Sequence, residues 1–223
     1  MRAVILAAGI GSRINSQRPK CLTKLPNNQT ILGNQIEIVR KNGVREITVV
    51  VGFKKELIME EHPEVFFRYN PMFHINNTAK SLMLAMEESD EDDLLWINGD
   101  VYLENEVLSR VLNRKGNTVA VNKAQCAQEE IKYKTDKFGY ICQISKKINN
   151  GEGEAVGVNK ISKKDFAVFL NCLKKCSHNS YFEKGIELSL EEGVKFTSVD
   201  ISDCKCVEID FKKDLDKVYS FFS

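Results

Sequence analysis

The strongest constraint on the fold is the alternation of short β-branched runs with amphipathic stretches over the first half of the chain. Residues 2–6 are an apolar run ending in Ala7-Ala8-Gly9, the pattern of a buried parallel strand that empties into a loop. Residues 30–41 set Ile31, Leu32, Ile36, Ile38 and Val39 among polar residues and stop before Gly43, which predicts an amphipathic helix. Residues 47–51, 65–69, 94–97 and 118–121 read as further strands, with helices over 54–61, 78–88 and 106–112. This alternation predicts an α/β class: a single doubly wound, mostly parallel (mixed) sheet flanked by helices.

Beyond residue 122 the pattern changes. Residues 130–134 and 139–145 alternate as strands around Asp136-Lys137-Phe138-Gly139, so a β-hairpin is inserted into the α/β run. A strand over 156–161, helices over 164–174 and 182–191, a strand over 206–209 and a last helix from Lys213 follow. No linker tract or internal repeat interrupts the chain, so residues 1–223 are expected to form one domain. At 223 residues it can bury a sizeable core without disulfides. The lone tryptophan, Trp96, falls inside a predicted core strand and is expected to pack there.

Thirty-two Lys and Arg against 31 Asp and Glu leave a net charge of +1, which argues against a general nucleic-acid binder. No apolar run approaches the ~20 residues of a membrane span. The N-terminus begins like a secretory leader, but Gly9, Gly11 and Arg13 interrupt it where a cleavage site would follow. Seven cysteines, an odd number at irregular spacing, read as reduced thiols. Cys172 and Cys176 lie near His178, yet no C-x2-C framework repeats, and His62 and His74 are distant. A cytoplasmic protein with neither nucleic-acid nor membrane partner is expected.

The first strand feeds Ala7-Ala8-Gly9-Ile10-Gly11-Ser12-Arg13, with Pro19-Lys20 following. Glycines after a strand let backbone approach a ligand closely, and their exposed N–H groups form an anion nest. The dinucleotide fingerprint fits Gly9 and Gly11 but meets Ile14 where its third glycine belongs, and residues 26–33 lack its ribose-binding acid. A Walker loop needs a closing Gly-Lys-Ser/Thr, which is missing. What remains is a glycine loop with Arg13, Arg18 and Lys20 beside it, an arrangement suited to holding a triphosphate while one phosphorus is attacked.

Leu6-Ala7-Ala8-Gly9-x-Gly11-Ser12-Arg13 followed by Pro19-Lys20 resembles the signature of the sugar-phosphate nucleotidylyltransferase superfamily. More closely, the chain resembles the bacterial phosphocholine and 2-aminoethylphosphonate cytidylyltransferase group. Tyr69-Asn70-Pro71, Asn76-Asn77 and Ser81-Leu82 are similar to that group's base-side loop and helix, and Asn98-Gly99-Asp100 to its metal-binding strand end. Gly153-Glu154-Ala155-Val156-Gly157 is similar to its acceptor-side strand, and Glu208-Ile209-Asp210 to its second metal carboxylate.

The resemblance implies a Rossmann-like nucleotidyltransferase fold, with residues 1–122 binding nucleotide and 123–223 binding acceptor and completing the metal site. It implies a Mg²⁺-dependent cytidylyltransferase in which an acceptor phosphate oxygen attacks the α-phosphorus of CTP and pyrophosphate leaves. Arg13 and Lys20 are then the catalytic cations, and Asp100 and Asp210 the metal ligands. Leu6, Ala7, Ala8, Gly9, Gly11, Ser12, Asn77, Thr78 and Ser81 would bind the nucleotide.

For the acceptor, the resemblance points to Glu154, Lys160, Tyr181 and Glu183. Phosphocholine enzymes are expected to hold a quaternary ammonium with aromatic faces and an acid. Lys184 stands where an acid would suit such a cation better, which keeps aminophosphonates and phosphorylated amino acids such as L-glutamine phosphate in view. The expected role is surface polysaccharide decoration, in capsule or lipopolysaccharide. Two alternatives stand beside it. One is a sugar-1-phosphate nucleotidylyltransferase using UTP or dTTP, against which Asn76-Asn77 replaces a Gln-rich base loop. The other is a non-catalytic nucleotide sensor, which would not need paired carboxylates. A homodimer is left open, with the hairpin as lid or interface.

Overall fold

After Arg2 every residue of the first strand, β1 (Arg2–Ala7), is buried. Ala3, Ile5 and Ala7 enter one apolar core while Val4, Leu6 and Ala8 enter a second. A strand buried on both faces requires a helix layer on each side, and the computed structural model, which describes residues 1–11, 17–88, 92–124 and 130–222, shows both.

Along the chain follow α1 (Ile31–Lys41), β2 (Ile47–Val51), α2 (Lys55–Glu61), β3 (Phe66–Tyr69), α3 (Thr78–Glu87), β4 (Leu94–Asn98), β5 (Val101–Leu103), α4 (Asn105–Asn113) and β6 (Asn117–Asn122). Then come β7 (Lys132–Thr135), β8 (Ile141–Ser145), β9 (Gly153–Ile161), α5 (Lys163–Lys175), α6 (Phe182–Glu191), β10 (Phe196–Asp200), β11 (Cys206–Glu208) and α7 (Lys212–Ser220). The main sheet runs β10-β6-β9-β4-β1-β2-β3. Its neighbours are parallel except around β9, which lies antiparallel between β4 and β6. The class is the expected mixed, mostly parallel α/β sheet.

One core lies between the sheet and α1, α2 and α4. The other joins the sheet to α3, α5 and α6, with Trp96 stacked on Phe169 at 5.1 Å and edge-on to Phe182 at 5.7 Å. Trp96 is thus a packing residue, as its strand position implies. The hairpin forms as β7–β8, with Asp136 Oδ1 accepting from the amides of Phe138 and Tyr140 in the turn, and β7 joins the edge of β9. Cys21, Cys142, Cys172, Cys176, Cys204 and Cys206 are free thiols.

Two strands escape the sequence pattern. In β10 only Phe196 and Val199 are buried, too sparse an alternation to read as a strand, yet it pairs in parallel with β6 over five residues. The three-residue β5 pairs antiparallel with β11, placing Glu208 opposite Val101. This ribbon has its own small core of Leu25, Ile31, Tyr102, Val207, Ile209 and Val218. It positions the acids described next.

Candidate active site

The C-terminal ends of parallel β1 and β4 lie side by side, the edge where open α/β sheets gather ligand-handling residues. The amide of Gly99 donates to the Leu6 carbonyl at 2.9 Å, tying the turn after β4 to the glycine loop. Between them and the β5–β11 ribbon opens a cavity of about 410 Å³. Leu6, Ala7, Gly9 and Gly11 form one wall, and Asn98, Gly99 and Asp100 another. Gly11 has φ +60°, and a Cβ there would fall 2.7 Å from Lys20 Cβ. Only glycine lets this loop lie against the stem of Lys20.

Lys20 opens a 3-10 turn directly after Pro19. Its ammonium donates to Asp100 Oδ2 at 2.7 Å and to Asp210 Oδ1 at 2.6 Å. Burial pulls the lysine pKa down, but Asp100 and then Asp210 outweigh it, so the net shift is upward and the side chain stays charged. Asp100 is held by the fold around it: the Asp100 carbonyl accepts from the amide of Ile209 at 3.0 Å. Buried Gln35 on α1 donates to the carbonyls on either side of the turn, Asn98 at 2.8 Å and Val101 at 2.6 Å.

Glu208 joins Asp100 and Asp210, with one oxygen of each carboxylate lying within 4.8 Å of the others. Crowding by protein atoms, then the charges of Asp100 and Asp210, push the Glu208 carboxyl well above the ordinary range against the pull of Lys20. Glu208 is open to solvent, which weakens the burial contribution and leaves the neighbouring carboxylates dominant. Three carboxylates supply the all-oxygen donors that a hard divalent cation takes. The Lys20 ammonium between two of them shows that this point of the cavity accommodates positive charge. Nearby, Cys21 is buried and its thiol is pushed up to about 12, by burial and then by Asp100, so it stays protonated and is no nucleophile.

The far end of the cavity is built where two helices begin. Asn77 caps α3, and the amides of Asn77 and Ala79 donate to the carbonyls of His178 and Ser180. Thr78 Oγ1 accepts from the amide of Phe182 at 3.0 Å, so the starts of α3 and α6 are bonded side by side. Glu183, in the first turn of α6, is 6% exposed, and its Oε2 has no hydrogen-bond partner among the described residues. Burial pushes its carboxyl up to about 7, while its own backbone amide and Lys146 pull the other way. Lys146 Nζ lies over the Tyr181 ring, 4.6 Å from its centroid.

Of the residues expected from the sequence, Leu6, Ala7, Gly9, Gly11, Lys20, Asn77, Thr78, Asp100, Tyr181, Glu183 and Asp210 line this one cavity. Ala8 packs in the core and gives its carbonyl to the Phe53 amide. Ser81 is buried and accepts from Asn70 Nδ2 at 3.0 Å, bracing the loop after β3. Ser12 and Arg13 lie outside the described residues.

Two acceptor-side expectations are corrected. Lys160 is buried toward the opposite end of β9, where its ammonium donates to the carbonyls of Leu112 and Arg114 as α4 ends, so it braces that turn. Glu154 pairs in register with Asn122 and Lys132 while its neighbour Ala155 faces the cavity, because successive strand residues point to opposite faces. Asn98, Gly157 and Glu208, which belong to the motifs around Asp100, Glu154 and Asp210, also line the cavity, as do Glu130 and Lys146, which belong to none. Glu208 had a readable signal, since a residue two places before Asp210 on a strand tends to share its side. Lys146 had none.

The profile of the MobA-like NTP transferase domain matches residues 3–172. The chain is 27% identical to the CTP:phosphoglutamine cytidylyltransferase of Campylobacter jejuni, over 97% of this chain and 98% of that protein. It is 38% identical to the CMP-5'-(3-aminopropyl)phosphonate synthase of Streptomyces rubellomurinus over 50% of this chain, and there it spans only 19% of the relative. In fold it resembles the CTP:phosphocholine cytidylyltransferase of Streptococcus pneumoniae, with a TM-score of 0.80, 20% identity, and coverage of 100% of this chain and 99% of that one.

Proposed function

The chain belongs to the MobA-like NTP transferase family and is a nucleotidyltransferase, and from that premise we propose that it transfers CMP from CTP to a small phosphorylated acceptor with release of pyrophosphate. The observation that carries this reading is the convergence of Lys20, Asp100, Glu208 and Asp210 beside the Leu6–Gly11 backbone in one cavity. Such a site meets what the reaction demands. An anionic acceptor phosphate needs no protein base to become a nucleophile; it needs to be brought against the α-phosphorus while charge on the leaving pyrophosphate is neutralised.

In this reading the loop amides from Gly9 to Gly11 face the triphosphate, and Lys20, joined by Arg13, offsets its charge. Asp100 and Asp210, with Glu208 beside them, hold Mg²⁺, which when bound supplies further neutralisation of phosphate oxygens. Asn77 and Thr78 bound the nucleotide, and Tyr181 and Glu183 bound the acceptor, which is phosphocholine-like, an aminophosphonate or a phosphorylated amino acid. Residues 1–122 and 123–223 then supply the nucleotide and acceptor halves of one domain. The product serves surface polysaccharide decoration, made by a cytoplasmic enzyme that works alone or as a homodimer.

A pyrophosphate-release screen crossing the four nucleoside triphosphates with phosphocholine, aminoethylphosphonate, phosphorylated amino acids and sugar 1-phosphates tests it. CTP with one of the first three acceptor classes is the expected active pair. Turnover confined to UTP or dTTP with a sugar 1-phosphate would replace this reading with the sugar-nucleotide one, and nucleotide binding without any release would make the protein a sensor.

A further inference from the structure

Two ionisable groups at the acceptor end of the cavity, Glu183 and Lys146, form no close ion pair among the described residues. Glu183 is 6% exposed, lines the cavity with Ile131, Ala155 and Tyr181, and has one carboxylate oxygen, Oε2, without a hydrogen bond among the described residues. A carboxylate oxygen buried this deeply without a donor is costly unless a ligand supplies one. Lys146, also lining the cavity, makes no ion pair among the described residues and rests its ammonium on the Tyr181 ring at 4.6 Å. The other charged side chains lining the cavity, Lys20 with Asp100, Glu208 and Asp210, and Glu130 near them, belong to the nucleotide end.

We propose that Glu183 and Lys146 together select an acceptor bearing both an ammonium and a carboxylate, that is, a phosphorylated amino acid. This deepens the cytidylyl-transfer reading above and rests on it. The acceptor's ammonium meets the unpartnered Glu183 oxygen, and its carboxylate draws Lys146 off the ring. The same arrangement disfavours a quaternary ammonium for two reasons. A trimethylammonium group has no N–H to satisfy Glu183. The aromatic face that would hold it by cation–π attraction is already covered by the protein's own cation, which also repels it. An ammonium-only phosphonate satisfies Glu183 and leaves Lys146 unanswered, so it ranks between the two.

The test is kcat/KM by pyrophosphate release with CTP and Mg²⁺, using phosphocholine, 2-aminoethylphosphonate, O-phospho-L-serine and amide-phosphorylated L-glutamine as acceptors. At least one of the two amino acids is expected to exceed phosphocholine by about 100-fold or more, the scale of losing one buried charged contact. In Lys146→Met, KM for the preferred amino acid is expected to rise roughly 10-fold or more while phosphocholine use improves. In the near-isosteric Glu183→Gln, KM rises for all three primary-ammonium acceptors and kcat changes little. Wild-type turnover of phosphocholine equal to or above both amino acids would overturn the inference and leave cytidylyl transfer standing. So would an equal effect of Lys146→Met on every acceptor. No CTP-dependent release with any acceptor would overturn the underlying reading, and this inference with it.

Discussion

Replacing Glu183 with glutamine should make the protein more stable, and only above a certain pH. The wild-type carboxyl is held at about 7 against an ordinary 4.5, chiefly by burial, with its own amide and Lys146 offsetting part of the cost. Between those two values the folded state keeps a proton that the unfolded chain has already shed. Stability therefore falls as pH rises through that window, and the loss is complete above about pH 7. Linkage over this interval amounts to roughly 2–3 kcal/mol between pH 5 and pH 8. Glutamine has nearly the same shape and cannot ionise, so Glu183→Gln removes this slope. For a chain of this size the difference corresponds to roughly 5–10 °C in Tm, with the variant close to wild type at pH 5 and ahead of it at pH 8. Calorimetry or urea titration of both proteins at the two pH values measures it. A stability difference that does not change with pH would show that the carboxyl is not held protonated by burial, and the reasoning would fail. In the functional assay the same group should make KM for an ammonium-bearing acceptor fall as pH rises through about 7, where Glu183 gains its charge.

Other consequences are sharp enough to check. Lys20→Ala and Asp100→Ala should each lower turnover by at least ~100-fold, the scale of one preorganised charge contact; near-normal rates in either would remove them from the chemistry. Because the Lys20 ammonium sits between Asp100 and Asp210, it competes with a divalent ion for them. Lys20→Met should therefore bind Mn²⁺ more tightly than wild type without nucleotide, by titration calorimetry or electron paramagnetic resonance, and equal affinities would contradict this. Gln35→Ala removes both amide hydrogen bonds from the turn beside Asp100 and should cost about 1–3 kcal/mol, read as a lower urea midpoint at unchanged m-value.

Much of this fold is legible in one dimension. Burial of β1 on both faces, the helix over Ile31–Lys41 with Thr30 Oγ1 accepting from Gly33, and the hairpin around Asp136 all follow from neighbouring residues. Periodicity and turn chemistry act over a few positions, so the chain states them directly. The glycine loop and Lys20 are legible for the same reason: they lie close together in the chain. The positions of Lys160 and Glu154 relative to the cavity are not legible, because composition along β9 does not say which end meets it or which face a given residue presents. That depends on the β4 and β6 registers and on the irregularity that shifts β6 against β9 between Val119 and Val121.

The sequence by itself determined the α/β alternation, the strand-to-glycine-loop entry and the set of cations beside it. No local pattern joins Asp100 to Asp210, which only the resemblance paired. Tertiary structure added Glu208 at the same point in space, because β5, half of the ribbon that joins them, is too short to announce itself and pairs only across a long chain separation. It also decided that Glu183 is buried with one oxygen unsatisfied among the described residues while Lys146 stands over Tyr181. Desolvation and charge proximity are properties of surroundings drawn from distant segments, and no local pattern carries them.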